Sequence, residues 1–114
     1  MTRKTRQISW IKAALKEFQN FQESAREICV DALTPASDGS KADIAKPLHG
    51  LGSGVLEIAL PYNGNAYRVV YTLHLATEIW VIHAFQKKSV KQATTPKREI
   101  DLIRQRIKYL KETL

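Results

Sequence analysis

The stretch "VLEIALPYNGNAYRVVYTLHLATEIWVIHAFQKK", residues 55–88, decides the fold. It contains apolar runs at 55–62, 66–75 and 79–88, each rich in the β-branched and aromatic residues that favour strands. The first two runs are separated by "NGN", a strong signal for a tight hairpin, and the last two by the short turn "ATE". Three consecutive strands with short links predict an antiparallel meander.

Helical patterns lie on both sides of this predicted sheet. Apolar residues recur at spacings of three and four from 12 to 32, and a break near Asn20 would give two helices. "ISWI", residues 8–11, is compatible with a short first strand, and residues 34–47 predict a surface loop. Near the C-terminus, Thr95 as N-cap and Pro96 at the first helical position predict a final helix. Its apolar stripe, which we expect to dock on the sheet, is Ile100, Ile103, Ile107 and Leu110.

These elements predict one α+β domain spanning residues 1–114. Its N-terminal helices pack on a small antiparallel sheet, and a C-terminal helix follows. The glycine-rich segment 46–54 predicts a tight backbone approach rather than a phosphate-binding loop, because it lacks the strand-then-helix context.

Composition limits the functional classes. The chain has one cysteine, Cys29, which excludes a disulfide framework and predicts a small apolar filler on a helix face. No apolar run is long enough to cross a bilayer, and no signal-peptide pattern follows the basic N-terminus. We therefore expect a cytoplasmic protein with no membrane partner.

The net charge of +7 is concentrated near the C-terminus. Residues 1–86 contain 9 Lys/Arg and 8 Asp/Glu, whereas residues 87–114 contain 9 and 3. A local excess of positive charge indicates a polyanionic partner, either nucleic acid or an acidic protein.

Arg68 lies in the middle of a predicted strand, where an arginine needs either an anion or a salt bridge. Glu57 on the neighbouring strand is the candidate salt-bridge partner. Both interpretations are compatible, since a carboxylate can hold an arginine in place for a ligand.

His83 and Lys87 are the second pair of candidates. Strand alternation predicts that Val81, His83, Phe85 and Lys87 point to one side, and that Lys88 points to the other. His83 is then either a satisfied core residue or an acid–base group acting on a phosphodiester. The lysines are either a solvated strand end or phosphate ligands, and Lys91, Lys97 and Arg98 favour phosphate contact. The histidines are too scattered to predict a metal site.

The segments "AKPLHGLGSGVLEI", "YRVVYTL", "VIHAFQKKS" and "TPKREIDLIRQRI" resemble the phage-derived branch of the RelE/HigB toxins. These toxins belong to the RelE/ParE superfamily of type II toxin–antitoxin systems. The resemblance spans about residues 8–112. It implies N-terminal helices on a twisted antiparallel sheet and a small helix-turn-helix antitoxin as partner.

The resemblance also implies an activity. Similar toxins cut messenger RNA inside the ribosome without a metal or any other cofactor, and a basic groove binds the message and ribosomal RNA. Arg68 matches the arginine of their "YR" strand, and Lys87, with Lys88 beside it, matches a basic residue ending the last strand. His83 is a further candidate for catalysis. The candidate RNA-binding residues are Lys46, Lys91, Lys97 and Arg98.

The chain departs from the family pattern at three places. Glu57 and Ala59 occupy positions where relatives carry basic residues, and Tyr109 lies too deep in the last helix to match a terminal catalytic tyrosine. Two alternatives to an mRNA endonuclease therefore stay open. One is a ParE-type toxin that poisons DNA gyrase, and the other is a decayed toxin that keeps only antitoxin binding. We expect the antitoxin to cover residues 87–98, with the N-terminal helices as the alternative surface.

Overall fold

The computed structural model describes residues 5–88 and 94–114, which form an α+β fold as the sequence predicts. Strand β1 and two helices come first, a short 3₁₀ turn and four strands follow, and a helix ends the chain. The elements are β1 Ile8–Trp10, α1 Lys12–Gln19, α2 Glu23–Leu33, the 3₁₀ turn Thr34–Asp38, β2 Ala45–Pro47, β3 Val55–Tyr62, β4 Asn65–Leu75, β5 Glu78–Lys87 and α3 Lys97–Thr113.

The described strands form one five-stranded sheet in the order β1-β5-β4-β3-β2. The predicted β3–β4–β5 meander is confirmed, and Asn63 and Gly64 take the positive φ angles of 51° and 78° that a tight hairpin requires. The expectation of a purely antiparallel sheet is wrong, because β1 pairs with β5 in parallel. Strand β2 lies within the segment predicted as loop; it has three residues and ends in a proline, which an edge strand tolerates.

Helices α1 and α2 cover one face of the sheet. The predicted break is confirmed, since α1 ends at Gln19 and α2 begins at Glu23. Phe21 at the junction packs edge-on against Tyr67 of β4, with ring centroids 4.9 Å apart. Cys29 is the predicted buried filler in this layer, and burial raises its pKa to about 12, so the thiol stays protonated.

Helix α3 covers part of the opposite face, which we call the α3 face. Ile103, Ile107 and Leu110 pack there against a second apolar cluster that includes Val70 and Ile82, as the predicted stripe requires. The prediction of Thr95 as N-cap is wrong by one residue. Pro96 is the cap, and no side chain caps the first turn. The Thr95 hydroxyl donates instead to Glu57 Oε2 at 2.6 Å.

A β-bulge in β5 changes which side chains share a face. Val70 of β4 pairs with His83, but the next residue, Tyr71, pairs with Val81, so Ile82 is the extra residue. Val81 therefore packs in the layer of α1 and α2, whereas Ile82 packs under α3. The prediction that Val81 and His83 point to the same side is wrong, because the bulge resets the alternation between them.

Candidate functional site

The first charged cluster on the α3 face is built around Arg68. Its Nη1 lies 2.7 Å from Glu57 Oε1, and both side chains are almost fully buried. The second oxygen of Glu57 accepts the hydroxyl of Thr95, which precedes α3. The predicted salt bridge is thus present, and Glu57 connects the arginine to the chain segment that leads into the helix.

Strand register places Lys87 on the same face as Arg68. Arg68 pairs with Ala59 on β3 and Phe85 on β5, and Lys87 lies two residues beyond Phe85. Such diagonal neighbours have Cα atoms about 7–8 Å apart, within reach of long side chains. The Lys87 ammonium donates to the Thr94 carbonyl at 3.1 Å. We call Glu57, Arg68, Lys87 and Thr95 the Arg68 cluster.

The other predicted basic residues lie around this cluster. Lys46 of the edge strand β2 is exposed and pairs with Glu57, so it belongs to the same face. Lys97 and Arg98 are exposed in the first turn of α3, and Lys88 is exposed just after β5. Lys91 lies outside the described residues. The structure therefore brings Arg68, Lys87 and Lys46 to one face, with two further cations at the helix that borders it.

His83 belongs to a second charged cluster, although it lies on the same face. The residue is only 2% exposed. Its Nε2 donates to Glu99 Oε1 of α3 at 2.7 Å, and its Nδ1 lies 3.1 Å from Glu17 Oε1 and 2.8 Å from Arg106 Nη1. We call Glu17, His83, Glu99 and Arg106 the His83 cluster.

Partners inside the protein engage both ring nitrogens of His83, whether the ring is neutral or charged. A guanidinium only donates, so Nδ1 accepts from Arg106 when the ring is neutral and Nε2 carries the proton. When the ring is charged, both nitrogens donate, to Glu17 and to Glu99. In either state both ring nitrogens are engaged inside the protein, which makes His83 a structural group in this conformation.

Glu17 and Arg106 join the two helical layers around the edge of β5. They form an ion pair at 2.8 Å, and Arg106 also donates to the Ile82 carbonyl at the bulge. The Ala84 amide donates to Glu17 at 3.4 Å. Burial raises the pKa of Glu17, but hydrogen bonds from His83 and Arg106 and their positive charge outweigh burial and lower it to about 2.

The sequence interpretation missed Glu17, Glu99 and Arg106 as members of a cluster with His83. Arg106 follows Ile103 by three residues and precedes Leu110 by four, so helical spacing already places it beside the buried stripe. That signal could have identified Arg106 as part-buried. The partners of His83 come from α1 and α3, which are far apart in the chain, and no local pattern predicts that meeting.

The departures from the family pattern have a clear structural meaning. Ala59 lies opposite Arg68, so a basic side chain at this position would stand beside the arginine. Glu57 is buried and neutralises Arg68 instead of adding to the positive charge.

Within the described residues, no group of three or more His, Cys, Asp or Glu is placed to hold a metal ion. In the same ranges, no helix is long and apolar enough to span a membrane.

Comparison with known proteins agrees with this architecture. The chain is similar to the isolated RelE toxin of E. coli, with a TM-score of 0.58 at 20% identity over 88% of this chain and 97% of that one. A free-state mutant of the same toxin gives a TM-score of 0.62 at 18% identity, covering 92% and 97%. Among curated proteins, no sequence matches the chain significantly.

The family model described as "Phage derived protein Gp49-like" matches residues 16–108, which is most of the chain. The match includes both charged clusters and all three strands of the meander. The RelE-like fold and this match agree with the resemblance seen in the sequence. The chain therefore belongs to the Gp49-like family, the phage-derived branch of the RelE/HigB-type toxins.

Proposed function

We propose that the chain is the toxin of a type II toxin–antitoxin system and cleaves messenger RNA on the ribosome without a metal. One observation carries the catalytic part of the proposal: Arg68 and Lys87 stand on one sheet face as diagonal neighbours on adjacent strands. Strand backbones are rigid, so two cations held this way suit a phosphate between them. Family membership supports the toxin role.

The proposed reaction is attack of an RNA 2′-hydroxyl on the adjacent phosphorus. The bond to the 5′-oxygen of the next nucleotide breaks; water takes the 2′-hydroxyl proton and supplies a proton to the departing 5′-oxygen, which leaves a 2′,3′-cyclic phosphate and a 5′-hydroxyl. Charge builds on the phosphate oxygens in the transition state, and Arg68 and Lys87 stabilise it through charge-assisted hydrogen bonds. Lys88 is a third candidate ligand of the same RNA.

Glu57 sets the geometry of Arg68, and Phe85 is the cross-strand neighbour of the arginine. Glu57 fixes one guanidinium nitrogen at 2.7 Å, and Phe85 lies opposite Arg68 on β5 and stacks on the His83 ring at a centroid distance of 5.3 Å. We assign His83 a structural role at the contact between β5 and α3 rather than acid–base catalysis, because it is buried and both its nitrogens have partners.

Access to Arg68 requires a local rearrangement. Arg68 is 5% exposed, and the Thr95 hydroxyl is bonded to the carboxylate that holds it. An incoming phosphate competes with Glu57 for the guanidinium, and separation of Thr95 from Glu57 opens the approach. In the free protein the site is therefore closed.

The proposed partner in the cell is a helix-turn-helix antitoxin encoded beside the toxin. The described part of its expected contact surface, residues 87–88 and 94–98, combines Lys87, Lys88, Lys97 and Arg98. An acidic antitoxin surface would neutralise these cations and block RNA at the same time. The proposed site of action is the cytoplasm, with translated messages and ribosomal RNA as the nucleic-acid partners.

The test is induced expression with and without the neighbouring gene, followed by mapping of RNA 5′ ends. Wild type alone should arrest growth and produce new 5′ ends within translated messages. Arg68→Ala and Lys87→Ala should lose both effects, whereas Lys41→Ala, an exposed lysine outside the site, should keep them. Undiminished toxicity in both site variants would refute the assignment. Growth arrest with DNA damage and no RNA cleavage would favour gyrase as the target.

A further inference from the structure

A second basic surface lies along the C-terminal half of α3. A groove of about 360 Å³ separates this half of the helix from the glycine loop, residues 50–52. Its lining includes Arg104, Lys108 and Lys111, and among the described lining residues there is no carboxylate. Lys97 begins α3 two residues after Thr95 of the Arg68 cluster, and Lys108 follows it by eleven residues, which corresponds to about 16 Å along the helix axis.

Helical spacing explains why the three cations share this groove. Positions 104, 108 and 111 follow one another by four and three residues and therefore lie on one side of α3. Ile107, between them, is buried in the same apolar cluster as Leu51 and anchors the helix beside the loop. The cations are exposed along this seam, and Arg104 also donates to the Gly50 carbonyl at 3.4 Å and to Asp101 at 3.3 Å.

The loop side of the groove is bare backbone. Gly50 and Gly52 have φ angles of +88° and +95°, which side chains rarely adopt. A Cβ added at either position would have no neighbouring atom within 4 Å, so both glycines border open space. A ligand can therefore approach the loop closely without meeting a side chain.

The charges in the groove favour a polyanion. Like charges at spacings of three and four destabilise an isolated helix, and an anion bound between them removes that cost. The apolar lining residues, Leu51 and Ile107, are both buried, so the groove offers little of the apolar core that protein interfaces use. Exposed cations beside bare backbone fit a chain of phosphates better than a folded protein surface.

We propose that this groove binds the phosphodiester backbone of RNA without reading its sequence, and so anchors the protein on RNA at a distance from the Arg68 cluster. The choice of RNA rests on the proposed function, but the site itself is defined by Arg104, Lys108 and Lys111. The loop does not act as a phosphate-binding loop before a helix. Its role is to leave room beside cations that α3 supplies.

The test is the salt dependence of RNA binding by the full-length protein, measured by fluorescence anisotropy with a short single-stranded RNA. Arg68→Ala serves as the parent, because under the proposed function it is not toxic to produce. Replacing Arg104, Lys108 and Lys111 together by Gln should make the slope of log K against log salt shallower by roughly 2. The matched control replaces Lys12, Lys16 and Lys41, which are exposed elsewhere and remove the same charge.

An equal change of slope in the two triple variants would overturn the proposal, because the effect would then follow net charge and not this groove. Binding that stays unchanged in the groove variant would also overturn it, even if the groove proves to hold an acidic protein. Lys108→Glu alone should weaken RNA binding more than Lys16→Glu, with thermal unfolding unchanged in both. Failure of the proposed function would be recognised separately, because the wild-type protein would then neither cleave RNA nor arrest growth.

Discussion

Two arginine–glutamate pairs, Arg68–Glu57 and Arg106–Glu17, have similar geometry and different surroundings. Arg68 and Glu57 both belong to the sheet, and their pair borders Lys87 and Lys46. Arg106 and Glu17 belong to helices on opposite faces of the sheet, and their pair closes around the edge of β5.

The different surroundings of the two pairs indicate two roles for buried charge, one in stability and one in binding a ligand. In the His83 cluster the two carboxylates contact Arg106 and the two ring nitrogens of His83, so each charged group has a partner inside the protein. In the Arg68 cluster one carboxylate faces an arginine with a lysine diagonal to it, which leaves an excess of positive charge on that part of the face. We therefore expect substitutions in the His83 cluster to change stability and substitutions in the Arg68 cluster to change cleavage.

The largest expected effect is on cleavage. Lys87→Ala should lower the rate of message cleavage by about 100-fold, the usual consequence of removing one donor that stabilises transition-state charge. Lys87 is only half-buried, so the free energy of unfolding should change little. Primer extension on a translated message measures the rate. An equal loss in Lys41→Ala would show that the effect is nonspecific.

The next effect is on stability. Arg106→Met should lower the free energy of unfolding by about 2 kcal/mol, because Glu17 loses its ion pair and the Ile82 carbonyl loses a donor. Urea unfolding measures this change. Arg104→Met, on an exposed side of the same helix, should shift stability by less than about 0.5 kcal/mol. Equal losses of stability in both variants would mean that the ion pair between Glu17 and Arg106 does not stabilise the contact between the two helical layers.

The pH dependence of stability should follow Glu17. Its pKa of about 2 in the folded protein lies below the ordinary 4.5, so the carboxylate stabilises the fold above pH 4.5. This contribution, at most about 3 kcal/mol and reduced by partial exposure, is lost as pH falls from 4.5 towards 2. Glu17→Gln should flatten the stability profile in that window. A profile as steep as that of wild type would contradict the assigned pKa.

The smallest expected effect concerns the closed state. Thr95→Val removes the hydrogen bond to Glu57 and should cost about 1 kcal/mol of stability. Cleavage should rise by up to roughly fivefold, because the same free energy no longer holds the site closed. Thr95→Ser keeps the hydroxyl and should behave as wild type. A fall in cleavage for Thr95→Val would mean that Thr95 supports the active geometry instead.

The sequence predicted the meander, the divided N-terminal helix and the C-terminal stripe because each depends on local periodicity and turn chemistry. It also gave the Arg68–Glu57 bridge as one of two compatible interpretations, since two neighbouring strands joined by a tight turn fix their own register. It did not predict the parallel pairing of β1 with β5, whose partners are about 70 residues apart.

The bulge at Ile82 explains the main error at the candidate site. Strict alternation joined His83 to Val81, but one inserted residue moved His83 to the α3 face and beneath Glu99. Nothing in the residues around position 82 marks a bulge. The hydrogen bond between Thr95 and Glu57 was equally hidden, because Thr95 follows β5 in the chain and no local pattern predicts that it meets β3.

The most direct test compares Arg68→Lys with Arg106→Lys, measuring cleavage per folded molecule and the free energy of unfolding for each. Both substitutions keep the charge and remove the planar fork of donors. Arg68→Lys should lower cleavage by about 100-fold and the free energy of unfolding by about 1 kcal/mol. Arg106→Lys should lower the free energy of unfolding by about 2 kcal/mol and leave cleavage per folded molecule unchanged. The reverse pattern, or the same pattern in both variants, would contradict the division of roles between the two clusters.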